Sequence, residues 1–230
     1  SDKFMTSANL WNVLRQISVN VCISVGMTLV VLMAGIDLSV GSVLGFTAAV
    51  CAGLLKNGIP FESMDLFVGF SVLGAILVSI LIGMALGLFN GWVITKFSIP
   101  PFVATLAMLT IARGFTMLYT EGIPISNLGS EFEFIGSGWI LGIPVPVWIS
   151  LTMVLIVIFL TKKTTFGRYI YAIGGNEKAA FLSGININKI KLAVYGIAGM
   201  MAAVGGVLVT SRLNSAQPNA GMSYELDSIA

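Results

Sequence analysis

The side chains that carry acid–base, nucleophilic or metal chemistry are scarce in this chain. It contains no histidine, which excludes a proton relay, a catalytic triad or a metal site built on imidazole. Cys22 and Cys51 lie inside apolar stretches without C-x-x-C spacing and read as small packing residues. No Gly-Lys dipeptide occurs, so the chain holds no P-loop. Its apolar stretches carry no paired acids, and general acid–base catalysis needs positioned titratable groups. The residue types argue against an enzyme.

Polar residues with a pattern occur in a few places. Asn20, Ser24 and Thr28 recur every four residues inside an apolar run. Such a stripe either lines a water-filled path or joins two helices by hydrogen bonds. Asp37 and Ser39 sit in the stretch Gly35 to Gly41 (GIDLSVG), where either can cap a following helix by accepting backbone N–H groups. The flanking glycines allow a tight hairpin or a re-entrant, discontinuous element beside a transport path. Further on, Asn176 is a good N-cap, Glu177 suits the positive end of a helix, and Gly184 is a good C-terminal stop. The helix between them makes about two turns, too short to be stable alone in water. It carries Phe181 and Leu182, so it needs a surface to dock on: its own bundle, the lipid surface or another protein.

The elements that must position these groups are membrane helices. Of 230 residues, 57% are hydrophobic and 10% charged, against about 25% charged in a soluble domain. The mean hydropathy of +0.97 excludes a water-facing globular surface, and with it a soluble enzyme, a disordered chain or a disulfide-stapled module. The net charge of +2 is too small to suggest nucleic acid. The chain opens on Ser1, Asp2 and Lys3, without the pattern of a signal peptide, and stops at Ser228, Ile229 and Ala230 as apolar character resumes. It reads as a piece of a longer protein.

A spanning helix needs about 20 mostly apolar residues. Ile17 to Ile36, Ser39 to Leu55, Leu66 to Ile94, Ile99 to Leu118, Trp139 to Leu160 and Leu192 to Ser211 meet that need. Pro144 and Pro146 delay the helix of the fifth segment to near Val147. The expected fold is an all-α polytopic membrane protein with about six transmembrane helices. Between Thr161 and Lys191 stand Lys162, Lys163, Arg168, Lys178, Lys189 and Lys191 against Glu177 alone; between Tyr119 and Gly138 stand Glu121, Glu131 and Glu133 with no base. The positive-inside rule places loop 161–191 in the cytoplasm and loop 119–138 outside. Alternation then puts Lys96 and the turn at Asp37 inside, and Lys56 and Arg212 outside. Tyr119, Trp139 and Trp148 suit an outer aromatic belt. Arg113 either snorkels to the interface or lines a polar pathway.

Small residues recur at four-residue spacing: Gly41, Gly45, Ala49 and Gly53; Gly83, Gly87 and Gly91; Ala198, Ala202 and Gly206. Each ladder gives a flat helix face that lets backbones approach closely.

Long stretches of the chain resemble one family. Gly35 to Ser42, Ile99 to Arg113 (IPPFVATLAMLTIAR), Gly167 to Asn188 (GRYIYAIGGNEKAAFLSGININ) and Arg212 to Ala230 (RLNSAQPNAGMSYELDSIA) look like the monosaccharide permeases of bacterial ATP-binding-cassette importers. The likeness runs in order over essentially the whole chain. It implies a membrane subunit of about ten segments, of which residues 1–230 form one transmembrane permease domain lacking the first segment and the portion after Ala230. It also implies a homodimer, a cytosolic ATPase that uses the ATP, a periplasmic sugar-binding protein, and a bacterial inner-membrane location in lipid. No cofactor is expected on this chain. The family's coupling helix maps to the loop 161–191, on Gly175, Asn176, Glu177, Ala180, Phe181, Ser183 and Gly184. The translocation path is assigned to Asn20, Ser24, Thr28, Asp37 and Ser39. The mechanism expected is alternating access driven by the ATPase. The alternative is an ATP-independent secondary sugar transporter or facilitator; scarce intramembrane charge fits a neutral sugar better than an ion-coupled pump.

Overall fold

The computed structural model describes residues 6–61 and 66–229. Ser1, Asp2, Lys3 and Ala230, on which the reading of the chain's ends rests, lie outside the described residues.

Apolar length and local capping set the long helices. Helix α1 (Ser7–Leu32) begins where the Thr6 side chain accepts from the Asn9 amide. It starts ten residues before Ile17, because Asn9, Asn12, Arg15 and Gln16 are too polar for an apolar-run criterion yet helical in place. After an irregular turn, α2 (Val40–Asn57) leads into a hairpin of β1 (Ile59–Phe61) and antiparallel β2 (Leu66–Val68). The hairpin takes the first residues of the expected third span. Helix α3 (Val72–Phe97) is capped by Ser71, and α4 (Pro101–Thr120) has proline in its first turn, where a missing N–H costs nothing. Then come β3 (Ile125–Ser126), α5 (Ser130–Ser137), and a small hairpin of β4 (Trp139–Ile140) and β5 (Ile143–Pro144). Helix α6 (Val145–Lys163) follows, then α7 (Thr165–Gly175), α8 (Glu177–Leu182), α9 (Ile187–Leu213), β6 (Ser215–Ala216) and α10 (Tyr224–Ile229). Six of these helices, α1, α2, α3, α4, α6 and α9, are long and apolar enough to cross a membrane.

Helices α2 and α9 form the centre, and the glycine ladders explain how. A Cβ on Gly83 would lie 2.6 Å from the Gly199 carbonyl oxygen, one on Gly91 2.8 Å from the Leu192 Cα, and one on Gly87 would collide with the Tyr195 carbonyl. The α3–α9 pair is therefore backbone against backbone. Gly206 brings α9 onto the Leu44 carbonyl of α2 in the same way, and Gly26 brings α1 onto Ala198. Around this centre, α3, α4 and α6 turn large apolar side chains outward, among them Leu81, Phe102 and Phe159. Such a surface is stable only in lipid or against other apolar helices.

The connections segregate to two ends. At one end Ser126 and Ser215 hydroxyls meet at 2.8 Å, Asn214 donates to Glu133 at 3.2 Å, and Arg15 donates to the Ser137 carbonyl at 3.1 Å while lying over the Trp139 ring. This end holds Glu121, Glu131 and Glu133. At the other end α7 and α8 meet the turn after α1, beside the bases of loop 161–191. The acidic loop 119–138 and the basic loop 161–191 thus lie at opposite ends of the bundle.

Candidate functional site

At the basic end, α8 is built as its sequence reads. The Asn176 side chain accepts from the Ala179 amide at 2.9 Å, and Gly184 ends the helix with a φ of +83°. Ala180 is buried against the bundle, while Phe181 and Leu182 stand 68% and 85% exposed. Ser183 donates to the Ala179 carbonyl at 2.9 Å. The helix is held from below by a pair the sequence does not announce: Lys191 of α9 donates to Glu177 at 2.7 Å. One face of the two-turn helix is therefore anchored and the other offers two large apolar side chains and a lysine. Phe181, Leu182, Ile185 and Ile187 line an apolar hollow there.

Helix α7, absent from the sequence reading, joins α8 to the membrane helices. Gly174 packs so closely on the end of α1 that a Cβ would strike the Leu32 carbonyl. Next to this contact, Gly35, Gly174, Asn176, Lys191 and Tyr195 line a cavity of about 320 Å³. The Tyr195 hydroxyl is buried there without a hydrogen-bond partner among the described residues.

The turn between α1 and α2 is not a surface hairpin. Asp37 and Ser39 are each 1% exposed. Asp37 accepts from the Ser39 amide at 2.9 Å and from its hydroxyl at 2.6 Å, and the Ser39 hydroxyl in turn accepts from Asn90 of α3 at 2.9 Å. Thr105 of α4 accepts from the Leu38 amide at 3.1 Å. Asn90 lies seven residues before the end of α3, roughly 10 Å into the bundle by helical rise. The turn is thus inset among the helices, as a discontinuous element would be. Ser39 occupies the N-cap position of α2 but makes no side-chain capping bond; the bonds of Asp37 stay within the turn.

A second irregular segment enters from the opposite end. After α9 the chain turns back along α2, so that the Ala220 and Gly221 carbonyls lie where Cβ atoms on Gly45 and Gly41 would be. Arg113 holds this segment, donating to the Pro218 carbonyl at 3.1 Å and the Ala220 carbonyl at 2.7 Å. Its guanidinium turns to the bundle and satisfies carbonyls that no sheet or helix serves. The two irregular segments approach each other at Gly41.

Asn20, Ser24 and Thr28 are on the open face of α1: Asn20 and Ser24 half-buried, Thr28 exposed and bonded to the Ser24 carbonyl at 2.7 Å. The structure does not bring this stripe together with Asp37 and Ser39, which line no open space in this conformation. Asn90, Thr105, Gly174 and Tyr195 are the residues that sequence reasoning missed. Asn90, as an amide inside a charge-free apolar run, was the detectable one. Among the described residues, no group of three or more His, Cys, Asp and Glu side chains is arranged to hold a metal ion.

Comparison with known proteins gives this geometry a context. The family described as the branched-chain amino acid transport system / permease component matches residues 9–230. A ribose import permease of Haemophilus influenzae is 48% identical over 231 residues, 99% of this chain and 68% of that protein. The ribose import permease of Bacillus subtilis is 47% identical over the same shares. A D-allose transport system permease of Escherichia coli is 38% identical, over 99% of this chain and 67% of that protein. No solved structure matches.

Proposed function

Since the chain belongs to the family of transport-system permease components, we propose that it is the membrane-spanning permease subunit of an ATP-binding-cassette importer that carries ribose inward. The observation that carries this reading is the high identity to ribose import permeases along the whole chain, above that to the D-allose permease. The helix α8 supports the energy source: a short helix with Phe181 and Leu182 outward and Glu177 pinned to α9 is a surface for a partner that pushes. That partner is a cytosolic ATPase. ATP is spent there, and the permease itself binds no cofactor and catalyses no reaction. Gly175, Asn176, Glu177, Ala180, Phe181, Ser183 and Gly184 form the coupling element of loop 161–191, which faces the cytoplasm by the positive-inside rule. The acidic end is periplasmic and receives ribose from a soluble binding protein. Two copies form the transporter in the inner membrane. The polar stripe Asn20, Ser24 and Thr28 lines the path, offering hydroxyl-compatible hydrogen bonds to a neutral sugar. Asp37 and Ser39 belong to that path only in a conformation that opens the inset turn.

The test is ribose uptake by proteoliposomes holding the permease, its ATPase and its binding protein. Uptake that requires ATP and is outcompeted by ribose rather than by xylose or D-allose supports the reading. ATP-independent ribose flux establishes the facilitator instead. Replacing Glu177 and Phe181 together uncouples hydrolysis from uptake while leaving the subunit inserted; unchanged uptake and assembly in that double variant removes α8 from the coupling role.

A further inference from the structure

We propose that the inset turn Met33–Ser39 is a second mechanical input, through which α7 moves the centre of the bundle independently of the anchoring of α8 on α9. The inference rests on the coupling role given above to loop 161–191.

The contacts run in one direction. Helix α7 leads directly into α8, so displacement of α8 by a partner moves Gly174. Gly174 bears on the Leu32 carbonyl and lies close to the Met33 Cα, with no side chain between to absorb the motion. Packed backbones transmit displacement because protein interiors compress little. The cavity beside this contact gives the turn and α8 space to approach each other, and the Tyr195 hydroxyl, without a hydrogen-bond partner among the described residues, stands on its wall against Gly35.

The far side of the turn is tied, not merely packed. Ser39 is bonded to Asn90 of α3 at 2.9 Å, and the Leu38 amide to Thr105 of α4 at 3.1 Å. The first tie is buried and the second partly so, with the Thr105 side chain itself buried, and a buried polar group that loses its partner is left unsatisfied. A shift of the turn therefore carries α3 and α4 with it. It also carries Gly41, the point at which the segment from the opposite end touches α2 through Gly221. The turn connects the partner's motion to the meeting point of the two irregular segments. Thr105 and Asn90 are positioning residues in this account: they act through the turn they hold.

The experiment measures ATP hydrolysed per ribose transported in proteoliposomes containing the permease, its ATPase and its binding protein. Thr105→Val keeps shape and removes the hydroxyl acceptor; Thr105→Ser restores it. Asn90→Leu severs the other tie independently. The expected result for Thr105→Val is a ratio raised about fivefold, the factor corresponding to one hydrogen bond's worth of coupling. Thr105→Ser returns it toward wild type. A purely structural role lowers the amount of assembled complex and leaves the ratio per complex unchanged. An unchanged ratio in assembled Thr105→Val and Asn90→Leu complexes overturns the proposal. So does failure of both to assemble when Thr105→Ser assembles with a wild-type ratio, since the ties then serve folding alone. If the wild-type complex itself shows no ATP-driven uptake, it is the permease reading that fails.

Discussion

Glu177 and Lys191 are joined at 2.7 Å across the gap between α8 and the second turn of α9, and their exposures differ: the lysine side chain is 18% exposed, the carboxylate 52%. A pair this open contributes on the order of 1 kcal/mol or less to stability. Its value is positional, because it fixes a two-turn helix that cannot hold itself. Lys191→Met is therefore expected to leave the melting temperature within a few degrees of wild type while ribose uptake falls by about tenfold, the lower half of the usual range for coupling between sites. The exchange Glu177→Lys with Lys191→Glu recovers part of the uptake. Thermal unfolding and transport on the same preparations check it; a melting temperature that falls in step with uptake assigns the pair to stability.

The α3–α9 seam makes a sharper stability prediction. Gly87 faces the Tyr195 backbone, whereas Gly114 of α4 has no atom within 4 Å of a built Cβ. Gly87→Ala overpacks the seam at a cost of about 1–3 kcal/mol, and backbone on both sides leaves little to yield. Gly114→Ala meets nothing and gains up to about 1 kcal/mol of helix propensity. Reversible unfolding in detergent micelles distinguishes them; equal effects would show that the seam is not held by backbone approach.

Arg113 supplies a third. Its guanidinium serves two carbonyls of the segment that returns along α2, and hydrogen bonds to a charged group are worth about 1.5–3 kcal/mol. In Arg113→Met those carbonyls lose their donor, so amide exchange across Asn219–Met222 accelerates while that of α9 does not. Arg113→Lys keeps the charge without the planar fork and falls between. Uniform acceleration through the whole bundle would mean that Arg113 supports the fold at large.

These cases show which parts of the molecule were legible in its sequence. Spanning segments were, because lipid demands long apolar runs whatever they pack against. The glycine ladders were, because close helix approach leaves no room for side chains. The cap at Asn176 and the stop at Gly184 were local, and both stand as read. The alternatives left open at Asp37, hairpin or inset element, were decided by Asn90 and Thr105, which lie more than fifty residues away in sequence. The partners of Arg113 were hidden for the same reason: its carbonyl acceptors are a hundred residues on. Helix α7 has an apolar face of its own, Ile170 and Ile173, both buried in the bundle, but glycine at 167, 174 and 175 disguises it as loop.

The remaining prediction concerns which end faces the cytoplasm, on which the coupling role depends. The segregation of loops into two ends is a matter of geometry, but their assignment rests on the bases of loop 161–191. A single labelled position decides it, and the chain is well suited to the measurement. Cys22 and Cys51 are both buried with no exposed surface, and a thiol reacts only as an accessible thiolate. The folded protein therefore gives no background with an impermeant maleimide. Lys178 is exposed on α8 and Glu131 is exposed on α5, at opposite ends. In intact cells with the outer membrane permeabilised, Glu131→Cys is expected to label and Lys178→Cys to stay unlabelled; in inverted vesicles the order reverses. Labelling of Lys178→Cys from the periplasmic side would place the coupling helix where no cytosolic ATPase can reach it, and Phe181 and Leu182 would then need a periplasmic partner.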